Sequence, residues 1–227
     1  MKIFIMNLWE KALNSEKLKN NLRNYYNTEA SIRDGKSVKA NWKVNVRRKF
    51  TELLKHECKS TLLELGAGAG YDSLYFIEKG FNVVAIDLSI EMVNKCIEKG
   101  IEAYELDFYQ LSSLNRNFDS IYAINTLLHV PKSDLLQVLN EINNVLNSNG
   151  LFYMGLYGGS DKESEWIKGD VSDIPRFFSF HSEQYLRSIL ENVFDIIDFE
   201  QIELDDKGEI DIFHSITLRK KIVIRGQ

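Results

Sequence analysis

Short apolar runs alternate with amphipathic segments from Thr61 to about Tyr157. The runs are rich in β-branched residues, which is typical of buried strands, and the segments between them have the period of an α-helix. Such alternation predicts a parallel sheet with crossover helices. The predicted strands are Thr61–Leu65, Asn82–Ile86, Glu102–Leu106, Ser120–Ile124 and Leu151–Leu156, and the predicted helices lie near Tyr71–Lys79, Ile90–Lys99 and Lys132–Asn147.

Two flanking regions depart from this alternation. Residues 7–57 have the pattern of helices, whereas residues 157–181 form an aromatic-rich segment that we predict to be irregular. No proline- or glycine-rich linker separates either region from the rest. We therefore expect one compact unit, with an N-terminal helical cap over residues 1–57 and an α/β domain over 58–227 that carries a lid near 157–181.

The C-terminal region has a strand pattern. A helix near Ser182–Asn192 is followed by two alternating apolar runs, Phe194–Leu204 and Glu209–Lys221. The segment that joins them, Asp205 to Gly208, contains a glycine and is typical of a tight turn. These features predict an antiparallel hairpin at the end of the sheet.

A glycine-rich turn follows the first predicted strand. Gly66, Gly68 and Gly70 alternate with alanines and lead directly into a helix. Glycines allow the backbone to approach a ligand closely, and the N–H groups at the start of a helix face the same site. A nicotinamide dinucleotide fold would prefer glycine at position 71, where this chain has the bulky Tyr71. The turn therefore favours a ligand without a pyrophosphate.

Polar residues end the next three predicted strands. Asp87 follows Gly66 by 21 residues and can accept hydrogen bonds from both ribose hydroxyls of a nucleoside. Asp107 can accept from an adenine amino group while its neighbour Phe108 packs on the ring, although Asp107 could instead cap the following turn. Asn125 ends the fourth strand. The carboxyl ends of strands are where open α/β sheets bind ligands.

These residues occur in the order of four known motifs. Glu64 to Gly70, Asp87 with Leu88 and Ser89, Asp107 with Phe108, and Asn125 to Pro131 together resemble the motifs of the class I S-adenosylmethionine (SAM)-dependent methyltransferases, in particular their small-molecule-type branch. The resemblance covers roughly residues 40–220. It implies a three-layer, Rossmann-like α/β fold with a seven-stranded sheet, mostly parallel, that ends in an antiparallel hairpin.

The resemblance also implies which residues bind SAM and its product S-adenosylhomocysteine. Glu64 and the three glycines would hold the methionine part, Asp87 the ribose, and Asp107 and Phe108 the adenine. The full set of expected cofactor contacts is Glu64, Gly66, Ala67, Gly68, Gly70, Asp87, Leu88, Met92, Asp107, Phe108, Asn125, Tyr26 and Trp42. For Met92 a core position on its helix is the usual alternative. No metal ion is expected.

We expect the two flanking regions to form the acceptor pocket. Its expected residues are Tyr25, Tyr157, Arg176, Phe178 and His181. The aromatic members could instead only pack these regions onto the sheet. Methyl transfer requires a base only if the acceptor arrives protonated. His129 and His181 are candidates for that base, although a structural or positioning role is the favoured interpretation of each.

Charge and composition restrict the partners. The 227 residues carry a formal net charge of −5, which argues against nucleic acid. Lys39, Lys43 and Arg47 nevertheless share one face of a predicted helix, within a basic stretch that also contains Lys36, Arg48 and Lys49. That face could bind an anionic substrate or RNA, or it could be a solvent-exposed helix face without a ligand.

Cysteine usage and hydropathy suggest a location. The two cysteines, Cys58 and Cys96, are far apart and lack the spacing of a metal site or a disulfide framework, which suits a reducing cytoplasm. The apolar run at the N-terminus is too short for a signal peptide, and no run is long enough to span a membrane. We therefore expect a cytoplasmic protein without a membrane partner.

Three functional hypotheses follow. The leading one is methyl transfer from SAM to an oxygen or nitrogen atom of a small-molecule acceptor by in-line displacement. The alternatives are a tRNA-modifying methyltransferase and a SAM-binding regulator without catalysis, while a nicotinamide oxidoreductase is disfavoured by Tyr71. The sequence identifies neither the acceptor nor the oligomeric state.

Overall fold

The computed structural model describes residues 2–34, 41–168, 172–206 and 209–222. The chain begins with two helices, α1 (Lys2–Arg33) and α2 (Asn41–His56). The next elements are β1 (Thr61–Leu65), α3 (Tyr71–Glu78), β2 (Asn82–Asp87), α4 (Ile90–Glu98), β3 (Glu102–Glu105), β4 (Phe118–Ile124) and α5 (Leu135–Asn144). The last elements are β5 (Leu146–Gly158), β6 (Lys162–Lys168), β7 (Ser172–Phe180), α6 (Glu183–Leu190), β8 (Phe194–Asp206) and β9 (Glu209–Lys220).

Seven strands form one sheet in the order β3-β2-β1-β4-β5-β9-β8. The strands from β3 to β5 pair in parallel, and β9 pairs antiparallel with both β5 and β8. The predicted α/β fold and its C-terminal hairpin are therefore confirmed. The predicted turn residues Lys207 and Gly208 lie outside the described residues.

The two faces of the sheet are covered by different helices. Leu63 and Ile121 face a core that includes Leu139 of α5, whereas Leu62 and Tyr122 face a second cluster. This separation follows from the strand geometry, because successive side chains point to opposite faces. The second cluster is completed by residues of α2 and α3, among them Phe50, Leu54 and Phe76. Helices on both faces give the three layers that the sequence predicts.

The aromatic-rich segment differs from its prediction. Instead of an irregular insertion, β6 and β7 form a two-stranded antiparallel sheet. The rings of Trp166, Phe178 and Phe180 lie within 6.0 Å of one another, centroid to centroid, and stabilise one face of it. Pro175 lies within β7, which is tolerated because both strands of a two-stranded sheet are edge strands.

Helix α1 crosses the carboxyl ends of the parallel strands. Lys19 Nζ lies 2.7 Å from the Asp107 carboxylate beyond β3, and Ser89 Oγ, beyond β2, donates to Asn27 Oδ1 over 2.6 Å. The same helix packs against β7. Helix α1 and β7 therefore cover the edge of the sheet at which ligands bind in this architecture. None of the described helices combines the length and hydropathy needed to cross a bilayer.

Candidate functional site

A cavity of about 530 Å³ lies at the carboxyl ends of β1, β2 and β4. Helix α1 and β7 form its opposite wall, with Leu22, Tyr25 and Tyr26 from the helix and Arg176 from the strand. Its volume is within the range of about 300–1,000 Å³ typical of small-molecule sites.

The glycine turn forms part of the cavity wall. Gly66 has φ +64° and Gly68 φ +55°, in the left-handed region that favours glycine. A Cβ atom on Gly66 would collide with the Thr126 side chain, 2.7 Å from its Cβ, whereas one on Gly68 would meet nothing within 4 Å. Gly66 therefore permits close packing of the turn on the residues after β4, and Gly68 leaves space beside the backbone.

Asp87 lies at the end of β2, where two backbone groups hold its carboxylate. Its Oδ2 accepts from the N–H of Gly68 over 2.9 Å, and its Oδ1 accepts from the N–H of Ser89 over 2.9 Å. Burial raises its pKa, against the opposing effect of these two hydrogen bonds. Because a carboxylate oxygen can accept two hydrogen bonds, each oxygen retains capacity for a ligand hydroxyl. Leu88 and Met92 line the cavity next to it.

A second group of acids lies where β1 meets the glycine turn. Glu64 is buried and accepts from Ser73 Oγ; burial and the neighbouring Asp72 raise its pKa well above the ordinary value. Arg47 Nη1 lies 2.5 Å from Asp72 Oδ1. Lys43 also lines the cavity, and burial lowers its pKa.

The basic face of α2 is therefore directed inward at the positions that the structure describes. Arg47 is only 9% exposed and Lys43 lines the cavity, which contradicts the solvated-face hypothesis for these two residues. Arg48 and Lys49 remain exposed and pair with Glu52 and Glu200. Lys36 and Lys39 lie outside the described residues.

Tyr26 and His129 form a hydrogen-bonded pair in the cavity wall. Tyr26 Oη lies 2.8 Å from His129 Nε2, and His129 Nδ1 lies 2.7 Å from the carbonyl oxygen of Phe177. A carbonyl only accepts, so Nδ1 carries the hydrogen. Burial lowers the pKa of His129 to about 4. The neutral ring then has its lone pair on Nε2, where it accepts the Tyr26 hydroxyl proton.

The structure brings most of the sequence-predicted residues to this one cavity. Those that line it are Glu64, Gly66, Ala67, Gly68, Asp87, Leu88, Met92, Phe108, Asn125, Tyr25, Tyr26, His129 and Arg176. Gly70 lies behind the turn, where its lack of a side chain allows packing on Ile101 and Cys96 of the α4 region.

Trp42 and Tyr157 do not line the cavity, and Asp107 lies beside it. Asp107 accepts from the N–H of Tyr109 and pairs with Lys19. It borders a small pocket that adjoins the cavity and shares Leu88, Phe108 and His129 with it. The ring of Trp42 packs 4.3 Å from Phe213 and 6.4 Å from Tyr157, centroid to centroid.

Phe178 and His181 take supporting positions. The ring of Phe178 lies 4.9 Å from that of His129, behind the cavity wall. His181 is fully buried and stacks on Tyr185 at 5.1 Å, and neither of its ring nitrogens has a hydrogen-bond partner.

Other cavity residues were not predicted from the sequence. Leu22, Glu29 and Arg33 of α1 complete the face that carries Tyr25 and Tyr26, with the 3- and 4-residue spacing of one side of a helix. That spacing is visible in the sequence and could have identified them. Tyr71, Asp72 and Thr126 lie next to predicted motif residues and also line the cavity.

Two buried acceptors in the cavity wall lack partners. Asn125 Oδ1 and Glu29 Oε1 have no hydrogen-bond partner. Buried polar atoms are rarely left without a hydrogen bond, which indicates a ligand with donor groups. The open space beside Gly68, the Asp87 carboxylate and these acceptors fit a nucleoside joined to an amino acid, as SAM is.

Comparison with known proteins identifies the domain. A family model described as a methyltransferase domain matches residues 62–150. The malonyl-[acyl-carrier protein] O-methyltransferase of Hamiltonella defensa subsp. Acyrthosiphon pisum (strain 5AT) is 35% identical over 134 residues, which are 56% of this chain and 51% of that protein. The chain spans 51% and 42% of the first two curated relatives that it matches.

Two solved structures show the same fold. The DhpI–SAH complex has a TM-score of 0.70 at 19% identity, covering 90% of this chain and 98% of that chain. The SAM-bound magnesium protoporphyrin IX methyltransferase (ChlM) of Synechocystis PCC 6803 has a TM-score of 0.62 at 14% identity, covering 89% and 97%. Residues 62–150 thus match the methyltransferase-domain family, and the chain around them has the fold of these SAM- and SAH-bound structures.

Proposed function

We propose that this protein transfers a methyl group from SAM to an oxygen or nitrogen atom of a small-molecule acceptor. One observation carries the proposal: the glycine turn, Asp87 and the Tyr26–His129 pair line the same cavity. A cofactor held by the first two groups and an acceptor placed at Tyr26 would therefore share one enclosed space. Proximity of this kind can contribute about 7–11 kcal/mol to a reaction between two bound partners.

The residues of the strand ends would hold the cofactor. Asp87 would accept from the ribose hydroxyls, Leu88, Met92 and Phe108 would contact the nucleoside, and the glycine turn with Glu64 would bind the amino-acid part. When bound, SAM supplies a methyl group on a positively charged sulfur. We propose that the lid and cap of the chain, near residues 157–181 and 1–57, exclude water from the site.

The Tyr26–His129 pair would accept a proton from the acceptor. An acceptor hydroxyl or ammonium at Tyr26 Oη would pass its proton to that oxygen as the phenol proton moves to His129 Nε2. Phe177 fixes the ring in the required tautomer through Nδ1. Because burial lowers the pKa of His129 to about 4, the ring is neutral at neutral pH and Nε2 keeps its lone pair for the Tyr26 hydroxyl. The ring is then a weak base that would hold the proton only transiently, before releasing it to solvent.

The alternative functions have less support. An RNA methyltransferase would need an accessible basic surface, but Arg47 is buried against Asp72. A SAM-binding regulator would have a filled acceptor space, whereas Asn125 and Tyr26 border open cavity.

The reported relatives are named for malonyl-[acyl-carrier protein] and magnesium protoporphyrin IX, and by analogy we propose an acceptor that is small or borne on a carrier. We retain a cytoplasmic location without a metal requirement as part of the proposal.

A turnover assay tests this function. Purified protein is incubated with methyl-labelled SAM and a panel of small hydroxyl, amino and carboxyl compounds, and products are examined by mass spectrometry. We expect S-adenosylhomocysteine release coupled to a labelled product. Release without a labelled product, or labelling of bulk tRNA in place of every small compound, would contradict the proposal.

A further inference from the structure

Arg176 is a cavity-lining cation without an acidic partner in the described part of the chain. Its Cζ lies 4.3 Å from the ring centroid of Tyr25 and 5.0 Å from that of Phe178. Its Nε is buried and has no hydrogen-bond partner. The side chain as a whole is half-buried. A guanidinium remains charged at all relevant pH values, and partial removal of that charge from water without an anion is costly. This arrangement indicates that the missing anion belongs to a ligand.

The neighbouring charges of the cavity have partners within the protein. Arg33 Nε lies 3.3 Å from Glu29 Oε2, and Asp72 is paired with Arg47. Neither acid lies within ion-pair distance of Arg176. Glu64 and Asp87, which also line the cavity, accept from Ser73 Oγ and from backbone N–H groups, so none of these four acids is paired with Arg176.

Arg176 lies at the acceptor side of the cavity. Burial raises the pKa of Tyr26, and Arg176 opposes this through its charge and a side-chain hydrogen bond to Tyr26. Burial lowers the pKa of His129, and the charge of Arg176 lowers it further. Lys43, the other cavity-lining cation without an ion pair among the described residues, lies instead towards Asp72, beside the glycine turn. A group bound at Arg176 would consequently lie next to the proton-accepting pair.

We infer that the methyl acceptor carries an oxyanion, a carboxylate or a phosphate, that binds Arg176 while the atom to be methylated lies at Tyr26 Oη. This inference rests on the proposed function and specifies its substrate class. The planar fork of arginine matches either oxyanion with two parallel hydrogen bonds. The rings of Tyr25 and Phe178, 4.3 and 5.0 Å from Cζ, hold the guanidinium in place through cation–π contacts.

Binding of simple probes to the protein loaded with S-adenosylhomocysteine tests the inference. The probes are benzoate, phenyl phosphate and the uncharged benzamide, measured by ligand-observed NMR titration. We expect one or both anions to bind, and benzamide to bind at least about tenfold more weakly, because it lacks a charge-assisted pair. The relative affinities of benzoate and phenyl phosphate identify the preferred oxyanion.

Variants assign the effect to Arg176. Arg176→Gln should weaken anion binding by about tenfold or more, and Arg176→Lys, which keeps the charge but loses the fork, should fall between. Both should bind S-adenosylhomocysteine like the wild type by calorimetry. The matched control is Arg187→Gln, since Arg187 pairs with Glu183 on α6 outside the cavity.

Several outcomes would overturn the inference. Benzamide that binds as tightly as benzoate, no binding of either anion, or unchanged anion affinity in Arg176→Gln would each do so. If Arg176→Gln does not fold, the comparison between charged and uncharged probes on the wild type and Arg176→Lys decides. A wild-type protein that fails to bind S-adenosylhomocysteine would instead contradict the proposed function itself.

Discussion

The hydroxyl of Tyr26 and Nε2 of His129 lie 2.8 Å apart, although 103 residues separate them in the chain. Tyr26 comes from α1 and His129 from the short 3₁₀ helix after β4, so the contact exists only because α1 packs across the strand ends. Phe177 of β7 completes the arrangement through its carbonyl. Three separate parts of the chain thus fix one hydrogen-bonded pair at the cavity.

Removal of the Tyr26 hydroxyl should reduce turnover. We predict that Tyr26→Phe lowers kcat by about a hundredfold or more for a protonated acceptor, the size of a lost general acid–base contribution. SAM affinity should change little, because the pair acts on the acceptor. Steady-state kinetics with calorimetry separates the two effects, and Tyr104→Phe, at an exposed tyrosine of β3, is the control. Equal activity of Tyr26→Phe and wild type would exclude the proton relay.

The pH dependence of activity should reflect the buried state of His129. Its pKa is lowered from 6.5 to about 4, so Nε2 remains able to accept the Tyr26 proton until the pH falls through about 4. A plot of kcat/KM against pH should show the acidic fall that depends on His129 near that value. A fall centred near 6.5, the ordinary value for an exposed imidazole, would contradict the assignment.

Gly66 should be required for cofactor binding as well as for stability. A Cβ at this position collides with Thr126, so we predict that Gly66→Ala weakens SAM binding by at least about tenfold and destabilises the fold by about 1–3 kcal/mol. Gly100→Ala is the control, because Gly100 also has positive φ but has nothing within 4 Å of a Cβ. The Gly100→Ala variant should be less stable than the wild type but bind SAM with unchanged affinity. Equal affinities in both variants would argue against the role of the turn.

His181 should limit stability in acid. Its ring is buried without hydrogen bonds to either nitrogen, and burial lowers its pKa to about 4 from the ordinary 6.5. Between pH 6.5 and 4, His181 is therefore protonated in the unfolded chain but neutral in the folded chain. The free energy of unfolding falls as the pH is lowered through this range, because protonation stabilises only the unfolded state.

We predict that His181→Phe increases the free energy of unfolding by about 1 kcal/mol at neutral pH, because two unsatisfied nitrogens are removed. Urea denaturation at several pH values should show that the advantage of the variant grows as the pH falls from 6.5 towards 4. A constant or shrinking advantage would mean that His181 does not titrate in this way.

Local rules explain how much of the fold could be predicted. The runs Thr61–Leu65 and Asn82–Ile86 are buried on both faces, and a glycine turn ends the first while an acid ends the second. The apolar run and the residue that ends it therefore indicated the same strand in each case, and the structure has these strands as β1 and β2. Segment β7 was missed because Pro175 and clustered aromatics obscure a strand that pairs only with β6. Its stability depends on ring packing across the hairpin, which the periodicity of one strand does not reveal.

The candidate site was only partly predictable for a related reason. The strand-end residues Asp87 and Asn125 are placed by the sheet itself, so their spacing in the sequence was sufficient. The positions of Tyr26 and Trp42 depend on how the N-terminal helices pack. Tyr26 faces the cavity, whereas Trp42 packs on Phe213, and nothing in the local sequence distinguishes these two outcomes.

The most direct test of the account is calorimetric titration of the wild type, Asp87→Ala and Asp198→Ala with S-adenosylhomocysteine and with NAD. Asp198 is an exposed residue of β8 and serves as the matched control. We predict that the wild type and Asp198→Ala bind S-adenosylhomocysteine and not NAD, and that Asp87→Ala binds at least about tenfold more weakly because a charged acceptor of two ribose hydroxyls is lost. Unchanged affinity in Asp87→Ala, or binding of NAD in place of S-adenosylhomocysteine, would contradict the assignment of this cavity to SAM.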